Sequence, residues 1–216
     1  MNVIVLKKMK KGLILAAAAC LTILGAKAQT TAKVNVVLNP ALSIEVNDAS
    51  LDQTINGLEE AKAVNLVYKT ASDYVSGVKK PVADHLKVTA VGTGYKIYAR
   101  ASSNTLARSG GNGENAVMQM AGEIVTVKVH TGSAITIADI NAKSNQVNTI
   151  NGKSVKGETM YVSGASNSNA SVVAQPINVE YAARALNSAE VKGFLGTNNT
   201  QGARYTVNVI YDILAD

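Results

Sequence analysis

Two histidines, one cysteine and no tryptophan in 216 residues narrow the chemistry this chain can perform. The cysteine, Cys20, falls in a segment that reads as removable, so the mature chain has no disulfide to stabilise it and no thiolate for a metal. With only His85 and His130, a Ser-His-Asp arrangement has two candidate bases, and no G-x-S-x-G elbow accompanies either. Both histidines read as solvated or locally hydrogen-bonded residues. Aromatic side chains are scarce too, with one phenylalanine (Phe194) and eight tyrosines, which leaves little material for a sugar-stacking platform.

What is present begins with a secretory pattern. Lys7, Lys8, Lys10 and Lys11 precede an apolar run from Leu13 to Leu24, and Ala26 and Ala28 place small side chains before a cut at Gln29. The run is shorter than the ~20 residues a spanning helix needs, so no integral membrane span is expected. Residues 1–28 are therefore read as a signal peptide, with Met9 an alternative start to Met1. Cys20 lacks a large aliphatic residue three positions before it, where Ala17 stands, so it is read as part of the apolar run rather than as a lipidated cysteine. The expected location is periplasmic, cell-surface or extracellular.

Five of the 21 basic residues lie before Gln29 with no acidic ones, which leaves 16 against 15 in the mature chain. A chain so nearly neutral lacks the basic footprint that phosphate-driven binding requires, and no nucleic-acid partner is expected. Residues 29–216 are read as one domain.

The mature chain alternates apolar and polar residues with period two, the signature of strands with one buried face. Val34, Val36 and Leu38 begin the pattern, and Leu42, Ile44 and Val46 resume it after Asn39-Pro40. Val64, Leu66 and Tyr68 follow, then Leu86, Val88 and Ala90. Gly92-Thr93-Gly94 separates that strand from Tyr95–Ala101, a pair that reads as a hairpin. Val125–Val129, Ile135 and Ile137, Met160–Val162, Ser171–Ala174 and Ile177–Ala183 continue the series. Tyr205, Val207, Val209, Tyr211 and Ile213 close it on one face. Residues 51–63 read as a short helix weakened by Gly57. The stretches 102–115, 140–156, 164–169 and 193–202, rich in Gly, Ser, Asn and Thr, read as loops. The expected fold is all-β: an antiparallel, Ig-like β-sandwich of about seven to ten strands with long polar loops.

No catalytic, cofactor or metal site emerges, and the chain is read as no enzyme. Glu59-Glu60, Asp48 and Asp52 read as exposed charges, with calcium between Asp48 and Asp52 matching no loop signature. Residues 110–114 resemble a phosphate loop only in glycine content. Most tyrosines (Tyr68, Tyr95, Tyr181, Tyr205, Tyr211) face inward by alternation. Tyr98 faces outward between Lys96 and Arg100, which makes these three the candidate ligand surface.

Ser72–Val78, Ala83–Val88, Tyr95–Ala101 and Gly202–Tyr211 resemble small secreted surface proteins of Bacteroidetes, and the terminal strand is similar to those of spore-coat-U-like and fimbrial subunits. The resemblance implies a surface or structural subunit that adds a strand to its neighbour, with main-chain hydrogen bonds supplying affinity. Residues 29–39 are the candidate donor or first strand, and Val34, Val36, Leu38, Tyr205, Val207, Val209 and Tyr211 are the pairing candidates. Self-association or a surface protein or glycan partner is expected, the alternative role being a carbohydrate- or protein-binding module.

Overall fold

Two long strands, β2 (Val78–Ala90) and β11 (Val172–Ala183), form the spine of the molecule in a computed structural model. The structure describes residues 35–36, 41–54, 57–111, 115–163, 171–197 and 202–216. The chain divides into two units, 1–38 and 39–216. In the first, Asn35 and Val36 are described, and both are exposed; Val34 and Leu38 lie outside the described residues, as do residues 1–28.

Residues 39–216 are mostly β, with several antiparallel sheets packed together in a sandwich-like fold. The largest sheet has the order β1-β2-β11-β6-β7, adding β1 (Leu42–Val46), β6 (Val125–Val129) and β7 (Ala134–Thr136) to the spine. Three strands make a second sheet in the order β10-β3-β13: β3 (Tyr95–Ala101), β10 (Glu158–Val162) and β13 (Val209–Ala215). A third has the order β12-β4-β5, from β4 (Thr105–Gly110), β5 (Gln119–Ala121) and β12 (Arg204–Thr206). A hairpin of β8 (Val147–Ile150) and β9 (Lys153–Lys156) completes the set. Thirteen strands are therefore found among the described residues where about seven to ten were expected.

The core lies between the large sheet and the sheet around β3. Leu86, Val88, Val127, Val129, Ile177 and Val179 from the first are buried with Ile97 and Ala99 from the second. Each such aliphatic side chain contributes about 1.5–3 kcal/mol by leaving water. Ile137 and Ile140, on helix α2 (Ile137–Ala142), are equally buried.

Several sequence expectations are corrected here. Gly92-Thr93-Gly94 does not close a hairpin: β2 and β3 lie in different sheets. The turn instead carries the chain across the sandwich, held by Asp216 N–H to the Gly94 carbonyl and by Gly92 N–H to Ser171 Oγ. No helix occupies the described part of residues 51–63, where a 3-10 turn at Asp48–Ser50 precedes an isolated bridge between Asp52 and Ala63. Among the described residues the α-helices are α1 (Ala71–Ser76), α2 and α3 (Ser188–Leu195). The stretch 102–115 contains β4, and 140–156 contains the end of α2 and the β8–β9 hairpin. β2 extends back to Val78 through Pro81. A proline there removes no ladder bond, since β1 pairs with β2 only from Leu86 to Ala90 and the flank beside Pro81 is open.

The single terminal strand is also split. β12 pairs with β4 and β13 with β3, with Val207 and Asn208 crossing between the two sheets. Among the described residues, neither β12 nor β13 has a ladder partner on its other flank.

Candidate functional site

A cleft of about 620 Å³ opens inside the 39–216 unit. It is bordered by Leu58–Glu60, Lys62–Tyr68, Gly202–Val209 and Tyr211 together with Leu106, Met120, Val125 and Ile137, and the first and third of these stretches meet where Arg204 Nη1 donates to the Leu58 carbonyl at 3.3 Å. Such a volume is within the 300–1,000 Å³ of ordinary binding sites and far above the voids that close packing leaves.

Residues 64–68 form an unusual wall. Val64, Leu66 and Tyr68 pack against the core as their alternation requires. Yet among the described residues no main-chain hydrogen bond joins Val64, Leu66 or Val67 to any strand. On its other side the segment is separated from the start of β2 by a trough of about 450 Å³, bordered by Asn65–Val67 and by Gly77–Lys80. Side chains hold the segment instead. The Asp52 carboxylate accepts from Asn65 N–H and Nδ2 and from Lys80 Nζ, and the Tyr68 hydroxyl donates to the Arg184 carbonyl at 2.5 Å. Asp52 is thereby committed to the scaffold, and its pKa is lowered, the hydrogen bonds from Lys80 and Asn65 together outweighing desolvation, the largest single cause. That leaves it no free oxygen pair for the calcium arrangement considered with Asp48.

At the inner end of the cleft stand His85, Tyr181 and Tyr211. His85 is 2% exposed, which corrects its reading as solvated or locally bonded. The cause is a bulge in β2: Val82 faces Val179 and Leu86 faces Ile177, so Ala83, Asp84 and His85 stand opposite Asn178 alone. Asp84 takes φ 53° there, and His85 is delivered into the interior next to Leu86. Alternation along the strand has no means of anticipating this.

The hydrogen bonds around His85 run in one direction. Ser50 Oγ is 2.6 Å from the Asn47 carbonyl, which can only accept, so its one proton is given there. Ser50 Oγ then accepts from His85 Nδ1–H at 2.9 Å. His85 Nε2 is left bare and accepts from the Tyr181 hydroxyl at 2.9 Å, whose oxygen accepts in turn from Tyr211 at 2.7 Å. The tautomer is assigned by this network. Every proton has an acceptor with the imidazole neutral. Burial pushes the His85 pKa down to about 4, raises Tyr181 to about 12 and raises Tyr211 well above its usual value.

The pairing candidates of the terminal strand meet at this cleft, since Tyr205, Val207, Val209 and Tyr211 all border it. Tyr205 turns its hydroxyl to the carbonyls of Val117 and Phe194, at 2.8 and 2.9 Å. Val36 is 80% exposed.

The ligand-surface candidates fare differently. Tyr98 is 3% exposed, and its outward reading is corrected. Its face of β3 is shared with Leu214 of β13, also buried, and α2 and the β8–β9 hairpin pack beside these strands as an extra layer. Lys96 and Arg100 are tied to Asp216 and Asp212, each at 2.9 Å. A covered ring between two paired cations presents no stacking surface. His130 is exposed and stands edge-on to Tyr161 at 5.1 Å, in keeping with its solvated reading.

No family model matches this chain, and no curated protein matches it in sequence.

Proposed function

We propose that the protein is an exported, non-enzymatic surface subunit that assembles by strand addition, with residues 29–39 as the donor. The observation that supports this reading is the open flank of the terminal strand. Among the described residues β12 and β13 each have a ladder partner on one side only, and residues of both strands border the cleft, although Asn208 between them has its main-chain groups paired with Ser102. Unpaired edges of this kind are templates for another chain, and folds that stay monomeric blunt them with charges, prolines or cover. The two strands carry no proline, and their charges are confined to Arg204 of β12 and Asp212 of β13.

Donor residues suited to such an edge must be accessible and alternate with period two. Val34, Val36 and Leu38 alternate in the sequence, and Val36 is exposed. The absence of cysteine from residues 29–216 leaves packing and backbone pairing as the forces for both folding and assembly.

Electron microscopy of purified 29–216 and 40–216 tests the reading. Fibres or chains with 29–216 and single particles with 40–216 are expected. Single particles in both samples would refute it.

A further inference from the structure

We infer that the cleft binds an uncharged, largely apolar small molecule carrying a hydroxyl, the class of an aliphatic alcohol, and that this hydroxyl donates to the Tyr211 oxygen at the inner end. Such a site belongs to the single subunit and does not depend on assembly. The border of the cleft suits a compact guest. Arg204 donates to the Leu58 carbonyl, and a Cβ at Gly202 would come within 3.3 Å of Leu58 Cδ1, so the chain closes on itself there. Val64, Leu66, Met120, Val207 and Val209 border the space, and each packs against the core while remaining only partly buried. The hydrophobic effect favours a guest that covers them.

The direction of the hydrogen bonds sets the guest's polar group. Protons run inward from Tyr211 to Tyr181, from Tyr181 to His85 Nε2, from His85 Nδ1 to Ser50 and from Ser50 to the Asn47 carbonyl. Tyr211 has thus given its one proton to Tyr181, and among the described residues nothing donates to its oxygen. It presents a lone pair to the cleft. A hydroxyl completes the chain, whereas a carboxylate or an ether has no proton to offer. Turning the chain round to meet an anion would take the Ser50 proton away from the Asn47 carbonyl. A counter-ion is lacking as well: of the described cations that border the cleft, Arg204 is held by Ser109 and the Leu58 carbonyl, and Lys62 is exposed to solvent. A charge brought to this end would be desolvated without compensation.

Calorimetric titration of 29–216 with octan-1-ol, its isomer 1-methoxyheptane and octanoate tests the site, since the first two differ only in whether the oxygen carries a proton. Saturable binding of octan-1-ol is expected, about five- to tenfold tighter than the ether, as one hydrogen bond implies, with octanoate weaker than both. Tyr211→Phe keeps the ring and removes the acceptor, and is expected to bring the two isomers within about twofold of each other. Thermal unfolding checks that this variant folds; if it does not, the order of the three compounds in the native chain still decides. No saturable binding of octan-1-ol would overturn the site. Ether or octanoate bound as tightly as the alcohol would overturn the hydroxyl assignment, and an isomer preference retained in folded Tyr211→Phe would overturn Tyr211 as its acceptor.

Discussion

Protonating His85 would place a charge between the sheets; the Nδ1–H bond to Ser50 would remain, and the bond from Tyr181 would be lost. Nε2 would become a donor, and Tyr181 would lose the acceptor for its proton. The imidazole pKa falls from 6.5 in the unfolded chain to about 4 in the folded one, because burial disfavours the charged form. Between those values the unfolded chain binds more protons, so stability is complete above about pH 6.5 and declines as pH falls towards 4. The ceiling of the loss is about 3 kcal/mol. Urea midpoints measured at pH 7.5 and 4.5 are expected to fall for the native chain, and to fall distinctly less for His85→Asn, which cannot titrate. An equal acid loss in both proteins would assign it to other groups.

Turn chemistry makes a sharper statement at the level of elements. Asn151 (φ 52°) and Gly152 (φ 75°) are both left-handed between β8 and β9, as a two-residue type I′ hairpin demands. Gly152→Ala is expected to cost about 1 kcal/mol by chemical denaturation, from φ alone, since nothing crowds its Cβ position. A neutral substitution would contradict the turn.

That hairpin was legible in principle: Val147–Ile150, Asn-Gly and Lys153–Lys156 are two short strands around the strongest turn signal there is. The density of Asn, Ser and Gly around it gives the stretch the look of a loop. The helices α1 and α3 were signalled as well, by capping boxes at Thr70 with Asp73 and at Asn187 with Glu190. They are short, six and eight residues, and so show little 3.6-residue periodicity. Strands β1, β3, β6 and the two pieces of the terminal strand were readable because one face of each meets the core. Two features were beyond alternation. The β2 bulge that buries His85 depends on Asn178, 93 positions away, and Tyr98 is covered by elements that fold over the second face of β3. Residues 64–68 show the reverse case, since the alternation is real and serves packing, but no ladder follows from it.

At the scale of the molecule, a sandwich-like body with an apolar cleft and an unpaired strand-like wall is joined to an N-terminal segment that carries the alternation a missing strand would need. On the proposed reading, subunits complete one another's sheets outside the cytoplasm without disulfides. Val36 is the residue on which that account turns. It is 80% exposed and lies outside the 39–216 unit. In an assembly built by strand addition it would be buried against a neighbour, where a carboxylate is not tolerated without a partner. Sedimentation velocity of 29–216 and of its Val36→Asp variant therefore tests the central claim most directly. The account predicts large assemblies for the native chain and monomers for the variant, with unchanged thermal unfolding of the monomer. Identical size distributions for the two proteins would contradict it.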